Sequence, residues 1–362
     1  MTESRDTDDD RREAIRMIRD SAAALIASTG GLARVRSLRF GDPGFDPAVY
    51  RQMAEAGWIG LLVPEDKGGL GLGMAELAAV CEEMGRGLAP EPLIPATLSA
   101  SLLVESDRPE LFEDAIAGKN LFVAAWQEAP DTLTVAGTAD GNRLFVPTAL
   151  GADAFLVALR DGSRTKLLLC PPDSVDVTRV ATQDGGHYGT LHPRRNFGGA
   201  ETIVADVGAR LDRALEQACL ATAAYLLGVM DAAFEMTLGY LKTRQQFGRP
   251  IGSFQTLQHR AADLKIQVAL TRASVESAAA TLDSDASAPL RLLAVSRAKA
   301  RASDAAMLVT RQAIQMHGAI GYTDEYDVGL YLRKAMVLAG QYGSARVHRR
   351  RFMAAMSESD DE

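Results

Sequence analysis

The residues best suited to chemistry lie in segment 240–258, between two long apolar patterns. The segment carries Arg244, followed by Gln246, Phe247 and Gln255. A guanidinium is a planar fork that suits a phosphate, and glutamine amides can bond to phosphate, ribose or base edges. The combination predicts a clamp for a nucleotide-containing cofactor. A surface helical hairpin with solvated polar side chains is the alternative that the spacing leaves open.

The patterns on either side of this segment predict the elements that position it. Apolar residues recur there at spacings of three and four, which is typical of amphipathic helices. They are Leu226, Leu227, Met230, Phe234, Leu238 and Leu241 before the segment, and Leu257, Ala261, Leu264 and Val268 after it. Gly248 and Pro250 are expected to end the first helix.

Three motifs, in the right order, resemble those of the flavin-dependent acyl-CoA dehydrogenases. The matching segments are 62–73 with 82–86, 244–255 with 262–264, and 315–326 with 333–335. The first is similar to a loop between helices of the family's N-terminal domain, the second to the start of its C-terminal helical domain, and the third to its late Gln-x-x-Gly-Gly-x-Gly turn. The resemblance extends over roughly residues 11 to 355.

The resemblance implies an α+β, mainly α fold with an N-terminal helical domain, a middle β-domain and a C-terminal four-helix bundle. Periodicity divides the chain into helical residues 11–119, strand-like residues 120–207 and helical residues 208–356. The predicted strands are 121–126, 133–135, 144–146, 154–159, 166–170 and 202–204, and the four bundle helices are predicted to begin near Leu211, Phe254, Pro289 and Tyr322. The acidic ends, residues 1–10 and 357–362, are expected to be disordered.

Composition limits the classes of function. With 362 residues, 47% of them apolar, the chain can bury a large core, and its net charge of −8 argues against nucleic acid as a partner. We find no apolar run that we expect to span a bilayer and no signal peptide, so a cytoplasmic protein is expected. The basic run 346–351 is interpreted as cations near the end of a C-terminal helix.

Cysteine usage gives no sign of a disulfide framework or a metal centre. Cys81, Cys170 and Cys219 are isolated and lie outside any metal-ligand spacing. We expect them to be small core residues, and we expect no metal site.

The general base that the resemblance implies is missing from its usual place. Most members carry a Glu where this chain has Tyr342, and an unperturbed tyrosine is almost wholly protonated at neutral pH. Some members place the Glu instead at the position of Ala218, which cannot accept a proton. Glu216 lies about 200° round the predicted helix from that position and would face away, and Glu325 corresponds to a position that is usually structural. No catalytic residue is therefore assigned.

The middle domain also departs from the family. The flavin-facing Thr-Glu-Pro-x-x-Gly-Ser segment is reduced to Trp126–Pro130, and the usual Trp-Ile-Thr strand becomes Phe145–Pro147, where Pro147 has lost a hydroxyl and a backbone N–H. In the family each FAD is shared, because one protomer reaches across a dimer interface to the nucleotide of its neighbour's FAD. The residues retained at those reaching positions are Arg244, Gln246, Phe247, Gln315 and Gly318, although Ala319 replaces a second glycine.

This selective loss indicates a subunit of a heteromeric acyl-CoA dehydrogenase that completes the FAD site of a catalytic partner carrying the Glu. The resemblance implies an acyl-CoA substrate, with a steroid side chain or a dicarboxylic acid among the known examples. It also implies an electron-transfer flavoprotein or a similar acceptor. Two alternatives stay open: a self-sufficient homotetrameric dehydrogenase with an unusual base, and a flavin-free scaffold or acyl-CoA-binding protein.

Overall fold

The computed structural model describes residues 3–135, 137, 140–194 and 197–359, with eleven α-helices and nine β-strands among them. The N-terminal helices are α1 (Glu3–Ser28), α2 (Gly31–Leu38), α3 (Pro47–Glu55), α4 (Met74–Gly87), α5 (Leu93–Leu103) and α6 (Pro109–Ile116). The expected disorder of residues 1–10 is wrong from Glu3 onward, because α1 begins there; residues 1 and 2 lie outside the described part of the chain.

The middle part contains two small sheets. Its strands are β1 (Phe122–Ala125), β2 (Arg143–Pro147), β3 (Ala154–Asp161), β4 (Arg164–Cys170), β5 (Val175–Ala181), β6 (His187–Pro193) and β7 (Glu201–Val204). One sheet has the order β1-β3-β4-β7, with β1 parallel to β3, and the other has the order β2-β6-β5. The predicted strand 133–135 is wrong, since these residues form no ladder, and β5 and β6 were missed.

The C-terminal bundle is built on α7 (Gly208–Thr243), α8 (Gln255–Leu282) and α9 (Ala288–His317). The fourth predicted helix is in fact two, α10 (Val328–Leu338) and α11 (Ala345–Ser359). The turn of residues 339–344 separates them, because Tyr342 and Gly343 adopt positive φ angles of 52° and 95°, which no α-helix contains. α11 also contains residues 357–359, expected to be disordered, whereas 360–362 lie outside the described residues.

Helix α7 is the central element of the core. It packs directly against α4, where a Cβ added at Gly228 would stand 1.9 Å from the carbonyl oxygen of Glu82, and one at Gly85 would stand 2.0 Å from that of Tyr225. Glycine is required at this crossing because the two backbones touch. By length and composition α7 could span a membrane, contrary to the sequence expectation, but 83% of its most apolar window is buried in this fold.

The cysteines behave as expected of small core residues, because Cys81, Cys170 and Cys219 are all free and buried. Within the described residues, no three His, Cys, Asp or Glu side chains are placed to hold a metal ion.

Candidate functional site

Residues 244–254 form the exposed connection between α7 and α8, which we call the hairpin. Its two short strands, β8 (Gln245–Gln246) and β9 (Arg249–Pro250), pair in antiparallel fashion. The N–H of Ile251 donates to the carbonyl oxygen of Arg244 at 2.8 Å, and Phe247 occupies the tip with φ 53°. The connection is therefore an ordered turn that fixes the direction of its side chains.

The hairpin presents its polar and aromatic groups to solvent. Phe247 is 89% exposed, and its ring lies edge-on to Phe254 at 6.1 Å, while the guanidinium of Arg249 stacks on Phe254 at 4.2 Å. Arg244 and Gln246 are exposed as well, and no carboxylate of the described residues pairs with Arg244. The exposed ring of Phe247 and the guanidinium of Arg244 on one turn are suited to binding a partner outside this chain.

The late turn lies at the same end of the bundle. Gln315 is exposed on the last turn of α9, and Gly318 ends that helix with φ 69°. Between them, buried His317 stacks on Tyr240 of α7, with ring centroids 4.5 Å apart. Since Tyr240 lies one helical turn before Arg244, this contact ties the late turn to the hairpin.

Of the predicted cofactor residues, Arg244, Gln246, Phe247 and Gln255 belong to one connection, since Gln255 is the exposed first residue of α8. Gln315 and Gly318 lie on a separate element, which is tied to this connection by the ring of Tyr240 in contact with His317 and with Tyr326. The Tyr240–His317 stack was not predicted from the sequence, although Tyr240, an aromatic residue four positions before Arg244, could have indicated it.

A separate cavity of about 280 Å³ lies between the middle part and the bundle. Its wall is largely apolar and is formed by Pro95, Leu98, Ala124, Ala125, Trp126, Gln127, Asp131, Leu144, Phe145, Val146, Pro147, Tyr188, Val337, Gly340, Gln341, Tyr342, Gly343 and Ser344. Both segments that depart from the family pattern, at Trp126 and at Phe145–Pro147, line it. A concave apolar site with few polar groups is the usual form of a small-molecule site.

Three non-glycine residues of this wall have left-handed backbones. The φ angles are 56° for Asp131, 56° for Phe145 and 52° for Tyr342. Such conformations cost about 1–3 kcal/mol each and cluster at binding and catalytic sites. The strained backbones of Phe145 and Tyr342 therefore indicate that this cavity is a binding or catalytic site.

Tyr342 is buried, and burial raises the pKa of its hydroxyl far above the ordinary value, so the phenol stays protonated at neutral pH. Its carbonyl oxygen accepts a hydrogen bond from Nε2 of His348 at 2.9 Å and from the thiol of Cys219 at 3.4 Å. The Cys219 contact places residues 218–219 of α7 beside the Tyr342 turn. The two positions at which family members carry the base are therefore neighbours here.

The carboxylates considered as substitutes lie elsewhere. Glu216 is buried, and its Oε2 is 3.1 Å from Nε of Arg291 and 3.6 Å from Nη1 of Arg213, so it is held in an ion-pair cluster. Glu325 is exposed. Neither of them lines the cavity.

A buried lysine, Lys299, holds the turn that contains Tyr342 through hydrogen bonds to its backbone. The ammonium group of Lys299 donates to Ser303 Oγ at 3.0 Å and to the carbonyl oxygens of Leu338, Ala339 and Gly343 at 3.1–3.3 Å. Burial lowers the pKa of Lys299 to about 8. No local pattern predicts this contact, because Lys299 resembles any other cation on a helix.

The only formally charged residue among the described cavity-lining side chains is Asp131. Its carboxylate accepts a 2.5 Å hydrogen bond from Ser344 Oγ and pairs with Arg346, whose Nε lies at 3.0 Å. We call these three residues the Asp131 latch. The hydrogen bond from Ser344 and the charge of Arg346 lower the pKa of Asp131, which keeps it ionised.

The latch also corrects the interpretation of the basic run 346–351. This run lies at the start of α11 and not at its end. Cations at a helix N-terminus meet the positive end of the helix dipole, so they do not compensate it. Asp131 supplies the negative charge there instead, and Ser344 caps the helix by accepting from the N–H of Val347 at 3.4 Å.

The fold is that of one enzyme family. Residues 12–105 match the family described as acyl-CoA dehydrogenase, N-terminal domain, and residues 209–357 match acyl-CoA dehydrogenase, C-terminal domain. The chain is 33% identical to the acyl-CoA dehydrogenase IpdE2 of Mycolicibacterium smegmatis over 93% of this chain and 97% of that protein. It is 31% identical to the acyl-CoA dehydrogenase FadE27 of Mycobacterium tuberculosis, with coverage of 87% and 89%. This chain belongs to the acyl-CoA dehydrogenase family.

Two solved structures are similar over nearly the whole chain. One is described as the Tcur3481-Tcur3483 steroid ACAD G363A variant, with 26% identity, a TM-score of 0.85 and coverage of 97% of this chain and 99% of that one. The other is the ChsE4-ChsE5 complex from Mycobacterium tuberculosis, with 26% identity, a TM-score of 0.84 and coverage of 96% and 98%.

Members of the family bind FAD, and the two parts of the site differ in how well they fit it. The hairpin fits the nucleotide half, because it offers an unpaired guanidinium and exposed amides. The cavity does not fit the flavin cofactor. Among its described wall residues the one charged side chain is the carboxylate of Asp131, which would repel an anionic pyrophosphate. Pro147, in addition, has no backbone N–H that could bond to a flavin ring.

Proposed function

We propose that this chain is a subunit of a heteromeric acyl-CoA dehydrogenase and completes the FAD site of a catalytic partner. The observation that carries the proposal is the contrast between its two sites. Neither position at which family members carry the base can accept a proton at neutral pH, because Tyr342 stays protonated and Ala218 has no titratable group. The one carboxylate among the described cavity-wall residues, Asp131, is held by Ser344 and Arg346. At the hairpin, by contrast, Arg244, Gln246 and Phe247 are exposed to solvent.

The reaction is α,β-dehydrogenation of an acyl-CoA thioester. A base takes a proton from the carbon next to the thioester carbonyl, and the neighbouring carbon gives up a hydride, which FAD accepts in a complete enzyme of the family. In this proposal the partner supplies the base and the flavin-ring contacts. This chain supplies cationic and amide contacts to the nucleotide half of the partner's FAD, from Arg244, Gln246, Gln255 and Gln315 together with Phe247 and the turn at Gly318.

A bulky thioester is the substrate class we favour. One structural neighbour is described as a steroid ACAD and another as a complex of two differently named chains, and both align along almost the whole length of this chain. The cavity is apolar, in keeping with a large hydrocarbon group. We propose further that an electron-transfer flavoprotein or a similar acceptor reoxidises the complex in the cytoplasm.

The test is expression of the chain alone and together with a family member that retains the Glu. Alone, the chain should be colourless or hold well under one FAD per protomer, and it should not reduce an artificial electron acceptor. Together, the two should copurify as a yellow mixed oligomer that turns over acyl-CoA. Stoichiometric FAD with turnover from the isolated chain would support a self-sufficient enzyme instead, and a colourless, inactive pair would support a scaffold.

A further inference from the structure

The Asp131 latch places a carboxylate at a position where the fold favours negative charge. The latch sits at the N-terminus of α11, a helix of 15 residues, and such a terminus with an adjacent arginine attracts anions. Here the anion is internal. Asp131 holds Ser344 and Arg346 with its carboxylate, and Arg350 donates to its backbone carbonyl oxygen at 3.2 Å.

The latch also separates two spaces of opposite character. On one side is the apolar cavity of about 280 Å³. On the other is an open polar cleft of about 650 Å³ whose wall contains Arg160, Arg350 and Arg351 together with Asp206 and Asp212. Asp131 lines both spaces. A ligand with a ring in the cavity and a phosphate chain in the cleft would therefore pass close to the Asp131 carboxylate.

The backbone of Asp131 is left-handed, with a φ of 56°. Aspartate is one of the few non-glycine residues found in this conformation, because its short side chain can bond locally, and here that side chain holds Ser344 and Arg346. The carboxylate also compensates Arg346, which otherwise faces the positive end of the α11 dipole.

We propose that the Asp131 latch excludes a flavin dinucleotide from this chain's own cavity, which instead binds an uncharged, largely apolar group of ring size, such as the hydrocarbon part of the substrate. The exclusion stands on the geometry of the latch alone. The naming of a substrate hydrocarbon rests on the proposed function.

Trp126 allows a direct test, because it lines the cavity and Trp58 is the only other tryptophan. In a Trp58→Phe background, emission from Trp126 reports on the cavity of the purified, isolated chain. Two probes are titrated: FAD, and N-phenylnaphthylamine, an uncharged aromatic compound that accepts excitation from tryptophan.

Asp131→Gly removes the carboxylate without adding backbone strain, and Asp131→Asn retains the side-chain size should the glycine variant fold poorly. Asp285→Gly, which removes an exposed carboxylate from the loop between α8 and α9, is the matched control.

With Asp131 present, N-phenylnaphthylamine should bind saturably and FAD should not quench Trp126. In Asp131→Gly or Asp131→Asn, FAD affinity should rise by about tenfold or more, since charge repulsion is removed and Arg346 is released, while the control stays unchanged. Stoichiometric quenching by FAD with Asp131 in place overturns the exclusion, and so does an affinity that neither Asp131 variant improves. Failure of the uncharged probe to bind overturns the assignment of the cavity. Failure of this proposal is measured with the Asp131 variants and the uncharged probe, whereas failure of the proposed function is measured as missing turnover of the coexpressed pair, so the two are distinguishable.

Discussion

The ammonium group of Lys299 lies 3.1 Å from the carbonyl oxygen of Gly343, immediately beside Tyr342. The same ammonium group bonds to the carbonyl oxygens of Leu338 and Ala339, which end α10 and have no partner within the helix. A cation at a helix C-terminus is favourable, and here it is completely buried. Lys299 therefore fixes the end of α10 and the Tyr342 turn together.

Replacing Lys299 by Met should destabilise the fold and loosen the Tyr342 turn. The substitution leaves the buried carbonyl oxygens of Leu338 and Gly343 without this donor, while that of Ala339 keeps a hydrogen bond from Ser303 Oγ at 3.2 Å. We therefore expect a loss of about 2–4 kcal/mol in the free energy of unfolding. Urea unfolding measures this loss. Arg297→Met, on an exposed position of the same helix, is the control and should change stability little. Equal stability of the Lys299→Met and wild-type chains would contradict this account.

Acid should destabilise the fold through His348. Burial, with a smaller contribution from the charge of Lys299, lowers its pKa to about 3, compared with 6.5 in the unfolded chain. Between these values the unfolded state binds more protons, so stability is fully present above pH 6.5 and falls as the pH drops toward 3. The difference corresponds to at most about 5 kcal/mol.

The measurement is urea unfolding of wild type and His348→Gln at several pH values from 7 down to about 4. The variant should lose part of the acid sensitivity, whereas His259→Gln, which removes an exposed histidine, should retain all of it. Parallel pH profiles for wild type and His348→Gln would rule out this histidine as the source.

Arg244→Ala should weaken retention of FAD by the assembled complex. A charge-assisted contact contributes about 1.5–3 kcal/mol, so FAD affinity should fall roughly ten- to a hundredfold, with activity restored by excess FAD. Gln315→Ala should have a milder effect because its contact is neutral. Lys242→Ala, an exposed cation in the last turn of α7, serves as control. Titration of the apo-complex with FAD gives the dissociation constants; an unchanged value with reduced thermal stability would assign Arg244 a structural role.

Tyr342→Phe should leave turnover of the assembled enzyme within a few-fold of wild type. The hydroxyl stays protonated at neutral pH, and removing a working general base typically costs about 10²- to 10⁴-fold. Steady-state turnover of the assembled variant decides the matter. A loss of a hundredfold or more would give Tyr342 a catalytic or substrate-orienting role in this subunit.

Gly228→Ala should be strongly destabilising, although alanine favours helices. Its Cβ would meet the backbone of α4 at 1.9 Å, so the two helices must separate, at a cost of about 1–3 kcal/mol or more. Gly239→Ala on the same helix meets nothing within 4 Å and should stabilise by up to about 1 kcal/mol. Melting temperatures that move in the same direction for both variants would contradict the close crossing of α4 and α7.

The order of helical, strand and helical regions could be predicted from the sequence because each depends on local periodicity. The break between α7 and α8 was predicted from Gly248 and Pro250, although α7 ends earlier, at Thr243, and α8 begins at Gln255, next to the predicted Phe254. Strands β5 and β6 were missed because their sequences, Val-Asp-Val-Thr-Arg-Val-Ala and His-Tyr-Gly-Thr-Leu-His-Pro, mix polar and apolar residues. Residues 133–135 were mistaken for a strand because Leu133 and Val135 alternate with the polar Thr134; the two apolar side chains pack against the core, but the segment pairs with no strand.

The contacts that define the site cannot be predicted from local sequence patterns, because they join residues that are far apart in the sequence. Asp131 and Ser344 are 213 residues apart in sequence, and Lys299 and Gly343 are 44 apart. Neither spacing carries a helical or strand period, so only the folded chain reveals these contacts. The resemblance to a family located the missing base at Tyr342, but it did not reveal the carboxylate that lies beside the cavity.

Under the proposed function, the ring of Phe247, 89% exposed at the tip of the hairpin, is covered only in those copies of this chain that have bound a partner subunit. A copy without a partner stays open to the proteases that degrade unassembled proteins. We therefore expect the abundance of this chain in the cell to follow the supply of its partner.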